Sequence, residues 1–486
     1  MTAARSSPPR PPRRPNPGMK PWLTALYLAC AAAAAQAAGY CEDPNEARSG
    51  VPVLPEVGRI GPSALFDGMS AGNGLDQLGS LAREAVAGSA EVRGGEHSRQ
   101  AASWDLKSTE AGQSPTLQLG GGLGVGQSRV DGHTQGASGT GSASLTLSAP
   151  LYDGGKLDQQ GQYRKRLLES SGSGLLSVRE KAVRETLATV LDRNRYRLQL
   201  RVYQQYVAKM SCLTQSLERI VAQDRGRASE LVQARKGQRQ AEISRDEAVA
   251  ALRQADARLR LMVGGNVAPW GAVGVPLLEV PPLQQVLEEI QASPEVRQLR
   301  LQADAQESLA KATQAEGSPQ LRWHVGTNAG RNAQVNSAAW NAGLTLAYTL
   351  DDGGAINAAA KAASERALAA RRAQEALVTE RSKTASTYHD AARTSFLRVN
   401  HYAGVLADSD QVRNSTYEQW SKLGRRSLFD LMSAESEHYQ LRVAYINALH
   451  DGFQATLQLR ASGAGLLPWL APEMAVAPGD AAAQRR

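Results

Sequence analysis

Two Asp-Gly-Gly triplets, Asp153-Gly154-Gly155 and Asp352-Gly353-Gly354, are the first places in this 486-residue chain where side chains could do chemistry. A carboxylate beside bare glycine backbone could offer oxygens to a cation. A simpler use explains them fully: aspartate accepts the free N–H groups at a helix start, and the glycines permit a sharp entry into it. The run from Gly120 to Gly126 imitates a nucleotide-binding loop, but it lies within strand-like alternation and no helix opens after it. The seven histidines show no HxxxH or HExxH spacing, so a catalytic zinc is not expected. No Gly-x-Ser-x-Gly precedes a helix and no Cys/His pair suggests a nucleophile. The expectation is a protein that is not an enzyme and holds no metal or cofactor.

The triplets matter as parts of a larger pattern that the chain makes twice. Leu145 to Gly155 and Leu344 to Gly354 agree at seven of eleven positions. Upstream, Ser89 to Arg93 returns as Ser293 to Arg297, and Ser114-Pro115-Thr116-Leu117 returns as Ser318-Pro319-Gln320-Leu321, both at an offset of 204. In-frame matches of this kind read as a tandem duplication.

Before each triplet the period is two. Leu117, Leu119, Leu123 and Val125 alternate with Thr116, Gln118, Gly120, Gly122 and Gly124, and Leu145, Leu147, Ala149 and Leu151 alternate with Ser144, Thr146 and Ser148. In the second copy Leu321, Trp323 and Val325 oppose Arg322, His324 and Asn328, and Ala342, Leu344, Leu346, Tyr348 and Leu350 share a face. Strands are expected over 115–127, 143–152, 319–330 and 340–351. After each triplet the period lengthens to between three and four. Val183, Leu187, Val190, Asn194, Leu198, Val202, Tyr206, Met210, Leu213 and Leu217 form a coiled-coil stripe. Helical hairpins are expected over 156–262, turning near Gly226, and over 355–462, turning at Gly424. The first hairpin's outgoing helix would be roughly 100 Å long at about 1.5 Å per residue.

The domain plan is therefore 1–38 as an unstructured extension and signal peptide, 39–72 as an irregular linker, and 73–262 as the first repeat. Residues 263–282 form a second linker, 283–462 the second repeat, and 463–486 a tail. Lys20, the apolar stretch from Trp22 to Ala35, and Ala35-Gln36-Ala37 make up an export signal with a small-x-small cleavage site. Neither Cys30 nor Cys41 sits in a lipobox, and with Cys212 they form no CxxC and no readable disulfide framework. The net charge of +8 is concentrated at both ends, and no basic stripe with interleaved aromatics suggests nucleic acid.

Past the signal segment no apolar run is long enough for a membrane helix, but a membrane strand needs only about 9–11 residues. Four strands cannot close a barrel, since the smallest have about eight, and open edges in lipid cost several kcal/mol per unpaired group. Several chains must then share one barrel, with its polar face toward a wet lumen and its apolar face toward outer-membrane lipid. Trp323, Trp340, Tyr152 and Tyr348 suit interfacial girdles.

The paired Asp-Gly-Gly junctions, the Ser-Pro-x-Leu strand starts and the segment from Leu423 to Glu435 resemble the TolC family of outer-membrane export channels over about residues 75–465. The resemblance implies an α+β membrane protein with four transmembrane strands per chain. A homotrimer completes a 12-stranded barrel, and long antiparallel coiled-coil helices form a tunnel across the periplasm of a Gram-negative cell. It also implies a periplasmic adaptor protein and an inner-membrane ABC or RND transporter as partners.

By the same resemblance, acidic residues at the helical tip pinch the tunnel. The matching residues are Asp430, with Arg426 as its basic partner, and Glu230 at the first tip. Ser433 stands where a second acidic ring is found in the family, and Glu435 is a nearby candidate to replace it. Gly226, Gly424, Arg425, Ser427 and Leu428 fall at tip turns where the adaptor would dock. The leading function is an export channel in type I protein secretion. The alternative is the outer-membrane component of a multidrug RND pump, and a soluble periplasmic coiled-coil scaffold is a reading of another class.

Overall fold

The computed structural model describes residues 71–127, 129–130, 133–134, 137–264, 273–331 and 336–475. The export signal and most of the first linker lie outside the described residues. The elements run α1 (Ala71–Gly88), α2 (Ala90–Ala111), β1 (Thr116–Gly126), β2 (Ser138–Tyr152), α3 (Lys156–Gln223) and α4 (Ala228–Val263). The second half follows with α5 (Leu283–Glu289), α6 (Pro294–Ala315), β3 (Gln320–Arg331), β4 (Asn336–Ala347), α7 (Ala355–Ser421), α8 (Leu428–Ser462) and the short α9 (Leu467–Leu470). A two-residue ladder, Arg129–Val130 against His133–Thr134, lies between β1 and β2.

Both halves thus repeat helix, hairpin, long helix, return helix. The stretch before β1 is two helices, because Gly88 ends α1 and Ser89 caps α2 by accepting from the Val92 N–H (3.3 Å). A side chain at Gly88 would meet the Met262 carbonyl at 2.4 Å, so α1 and the end of α4 approach there as closely as backbone allows.

The four long strands form one antiparallel sheet in the order β1-β2-β3-β4. Two boundaries differ from expectation. β2 starts at Ser138 rather than 143, because its Gly/Ser-rich start pairs with Gly122 to Gly126 of β1. β4 ends at Ala347 rather than 351, because its last partner is Gln320, which follows Pro319, and proline has no N–H to extend a ladder.

The chain divides into two compact units. One, within Asn194–Gln254 and Leu397–Leu449, has a core of Met210, Leu213 and Leu217 (α3), Ala234 and Ala241 (α4), and Leu428, Leu431 and Met432 (α8). Small residues on α4 set the spacing: a Cβ at Gly237 would lie 2.6 Å from the Met432 Cε.

The other unit contains the sheet, the remaining helix segments and the described C-terminal residues. Its core groups Val286, Ile290, Val296, Ala385 and Leu459. A second contact joins Phe396 to Phe453, with ring centroids 6.1 Å apart, over Gly274 and Gly452. The second linker is therefore partly core: Val273, Val275 and Leu277 are buried, while 265–272 lie outside the described residues.

The tail is likewise more than a tail. Leu466, Leu467, Leu470 and Ala471 are buried, and the Leu470 carbonyl lies against Gly79 of α1. Glu180 of α3 accepts from the Leu466 and Leu467 N–H groups (2.6 and 2.8 Å) and pins this segment. Cys212 is disulfide-bonded, which the spacing of the three cysteines did not suggest.

Candidate functional site

The strand-to-helix junctions are built alike. Asp153 accepts from the Gly155 N–H (2.9 Å) and, with its other oxygen, from the Leu157 N–H (2.8 Å). Asp352 does the same for Gly354 (2.9 Å) and Ile356 (2.6 Å). These backbone donors hold the Asp352 carboxyl below its ordinary range. Gly154, Gly155, Gly353 and Gly354 all have φ between +65° and +86°, a region that penalises any Cβ. Both carboxylates are therefore spent on the first turns of α3 and α7. Among the described residues no cluster of His, Cys, Asp or Glu could hold a metal ion.

The sheet register sorts the side chains into two faces. Leu119 faces Leu145, Leu147 faces Leu117 and Val325, Trp323 faces Ala149 and Leu344, and Trp340 faces Thr327. The other face sets Gln118 against Thr146, Ser148 against His324, and Arg322 against Thr345.

Twelve large apolar residues on these strands are exposed in the single chain, from Leu147 at 36% through Trp340 at 79% to Leu123 at 95%. Leaving them in water costs on the order of 10–20 kcal/mol at 1.5–3 kcal/mol for a fully exposed side chain. This face needs a cover. The edges pose a second demand, since β1 and β4 each have one neighbour and leave a row of N–H and C=O groups unpaired.

At the helical tips the structure separates residues that the sequence groups together. The first turn runs through Asp224, which caps a short 3-10 segment by accepting from the Gly226 N–H (2.9 Å). Gly226 sits in that segment without a positive φ. Gly424 has that conformation, at φ +60°. Glu230 is held by the Arg227 guanidinium through two hydrogen bonds of 3.2 and 2.9 Å.

Asp430 and Ser427 form a reciprocal cap on α8. The Ser427 N–H donates to Asp430, and the Asp430 N–H donates to the Ser427 hydroxyl, both at 3.1 Å. Those bonds, and more weakly the field of Arg426, hold the Asp430 carboxyl below the usual range. Arg426 spends its Nε on Gln419 (3.2 Å).

Arg425 and Ser433 are exposed, whereas Leu428 is 1% exposed within the core and offers no docking surface. Glu435 is fully buried, with Lys209 Nζ at 3.5 Å and Arg413 at 3.9 Å. It cannot replace Ser433 on an exposed ring. The partners Lys209 and Arg413 come from α3 and α7, and nothing in their local sequence signals the pairing.

Residues 81–265, the first repeat, match the family model described as outer membrane efflux protein. No curated protein matches the chain. Among solved structures, CusC shares 15% identity at a TM-score of 0.73, covering 85% of this chain and all of that one. The CmeC outer membrane channel of Campylobacter jejuni shares 12% identity at 0.69, over 80% of this chain and 85% of that one. The outer membrane protein VceC of Vibrio cholerae shares 15% at 0.68, over 80% and 96%.

Proposed function

We infer that this chain, which carries an outer membrane efflux protein domain over 81–265 and has the fold of the outer-membrane channels it matches, is the outer-membrane duct of an export system. The observation that carries this reading is the sheet: one exposed apolar face, one polar face and two unpaired edges on a single chain. Lipid covers the apolar face, and neighbouring copies pair the edges. Three copies supply twelve strands, which is enough to close a water-filled barrel, whereas four are not. The polar face then lines the passage, and the duct works without chemistry of its own.

A periplasmic adaptor and an inner-membrane pump are the partners this reading requires, because a passive duct in the outer membrane has no energy source. For cargo, small solutes are favoured over a secreted protein, since the matched domain is described by efflux. Type I secretion rests on the missing lipobox alone. A soluble scaffold would have no use for eight leucines, two valines and a tryptophan exposed on its strands.

Fractionation and reconstitution test the duct together. A heat-modifiable trimer extracted from outer membranes by detergent, conducting ions in a planar bilayer, is the expected result. A monomer that stays in solution after lysis without detergent would end this reading. Deleting the gene and measuring both drug accumulation and secreted protein in the medium separates the two cargoes.

A further inference from the structure

Across the four long strands the described residues carry three basic side chains, Arg322, His324 and Arg331, and no carboxylate. Arg331 lies at the loop end, on the register of the apolar face. Arg322 and His324 lie on the polar face, in the first residues of β3, next to the junctions with the helices. The His324 ring sits over Gly343, where a Cβ would be 3.0 Å from Cε1, and its Nδ1 is 3.5 Å from the Thr345 hydroxyl. Arg322 is exposed, opposite Thr345 on one side and Pro150 on the other, and pairs with no described residue.

The carboxylates of the two strand-to-helix junctions form no ion pair with it. Asp153 follows Pro150 by three residues, but both of its oxygens accept helix N–H groups. Asp352 is occupied in the same way, and Asp351 accepts from the Gly353 N–H (2.9 Å). In a shared barrel the next chain brings β1 alongside β4, and β1 contains no charged residue.

We propose that Arg322, repeated once per chain around the barrel described under Proposed function, forms a cationic collar at the inner end of the barrel that binds small carboxylate- or phosphate-bearing anions on their way out. Twelve strands spaced about 4.8 Å apart and tilted about 40° give a wall of radius roughly 12 Å. An arginine reaching about 6 Å inward brings the three guanidinium groups within roughly 10 Å of one another, close to the screening length of about 8 Å at physiological ionic strength. Their field therefore spans the lumen instead of hugging its wall. The planar guanidinium fork matches carboxylate and phosphate oxygens, which selects anions of that class over halides.

The test is block of single-channel current by citrate, added to a purified trimer in a planar bilayer from the side bearing the strand loops. Wild type should be blocked, and Arg322→Gln should raise the citrate concentration for half-block by about 10-fold or more while shifting the reversal potential in a KCl gradient toward cations. Arg322→Lys should keep the reversal potential and lose part of the citrate affinity. Thr345→Glu, which places a carboxylate opposite Arg322 without removing it, should mimic Arg322→Gln and serves where that variant assembles poorly. Channels that conduct normally but whose citrate block and reversal potential are unmoved by either substitution would overturn the collar alone. A wild-type protein that forms no conducting trimer would overturn the barrel reading and the collar with it.

Discussion

Glu180 is the sharpest lever on the half of the molecule that holds the sheet. Burial is the largest influence on its carboxyl and pushes it up to about 7; the Leu466 and Leu467 N–H groups and Arg184 pull it down, and Glu295 raises it further. Moving from the ordinary 4.5 to about 7 penalises the ionised form by roughly 3 kcal/mol, at about 1.4 kcal/mol per pH unit. The folded state holds this proton more tightly than the unfolded state does. The contribution to stability is thus complete below pH 4.5, declines as pH rises and is gone above about 7.

The consequence is local, because the carboxyl anchors residues 466 and 467. Opening of that segment should become about a hundredfold easier between pH 4.5 and pH 8, the equivalent of those roughly 3 kcal/mol. Glu180→Gln keeps one acceptor oxygen, cannot ionise, and should flatten the profile. Glu180→Ala strands two buried N–H groups at about 1–3 kcal/mol each, and its cost should be larger at pH 5 than at pH 8. Hydrogen exchange of the 464–471 peptide in detergent, corrected for the intrinsic effect of pH, measures all three proteins. Parallel profiles for wild type and Glu180→Gln, or protection that rises with pH in wild type, would refute this account.

Three further substitutions test how the repeats are built. Gly155→Ala meets no atom within 4 Å, so it should cost only the left-handed backbone strain of about 1–2 kcal/mol; Gly154→Ala would also drive a methyl to 2.4 Å from the Ser318 Cβ and should sharply reduce trimer yield on unheated gels. Gly452→Ala would place its methyl 2.6 Å from the Phe396 ring and should cost about 1–3 kcal/mol by overpacking, read as a lower melting temperature.

What was legible in the sequence was whatever local chemistry decides. The switch from period two to a longer period marks where β2 gives way to α3 and β4 to α7, and the capping chemistry of Asp153 and Asp352 follows from their neighbours alone. The faces of the sheet were readable because the register pairs like with like. What was hidden depends on distant partners. The start of β2 is set by the length of β1, the end of β4 by Pro319, and the break at Ser89 by the close approach of Met262. Residues 463–475 read as a tail because a glutamate nearly 300 positions earlier supplies the missing acceptors. Leu428 looks like a tip residue until α3 and α4 are seen packing around it.

The acids of α8 show the same division and lead to a last prediction. Five residues separate Asp430 from Glu435, which at about 100° per residue places them roughly 140° apart around the helix. One is therefore at the exposed cap and the other in the core beside Lys209, and no sequence motif distinguishes them. Ser433 and Glu437, three and seven residues on from Asp430, fall within roughly 60° of it and are both exposed. On the face that Asp430 shares, the second acidic position is thus Glu437, one heptad along, and not Glu435. Asp430→Asn should keep the acceptor for the Ser427 N–H while removing the charge, so any change in conductance or cation block reports electrostatics and not a frayed helix. Glu437→Gln should add to that change, whereas Glu435→Gln should lower thermal stability by removing the buried charge beside Lys209 and Arg413, although Arg413 keeps Asp410 at 2.8 Å. Single-channel recording of the three variants decides it: a Glu435→Gln channel altered in cation block but unchanged in stability would mean that α8 turns a different face to the passage.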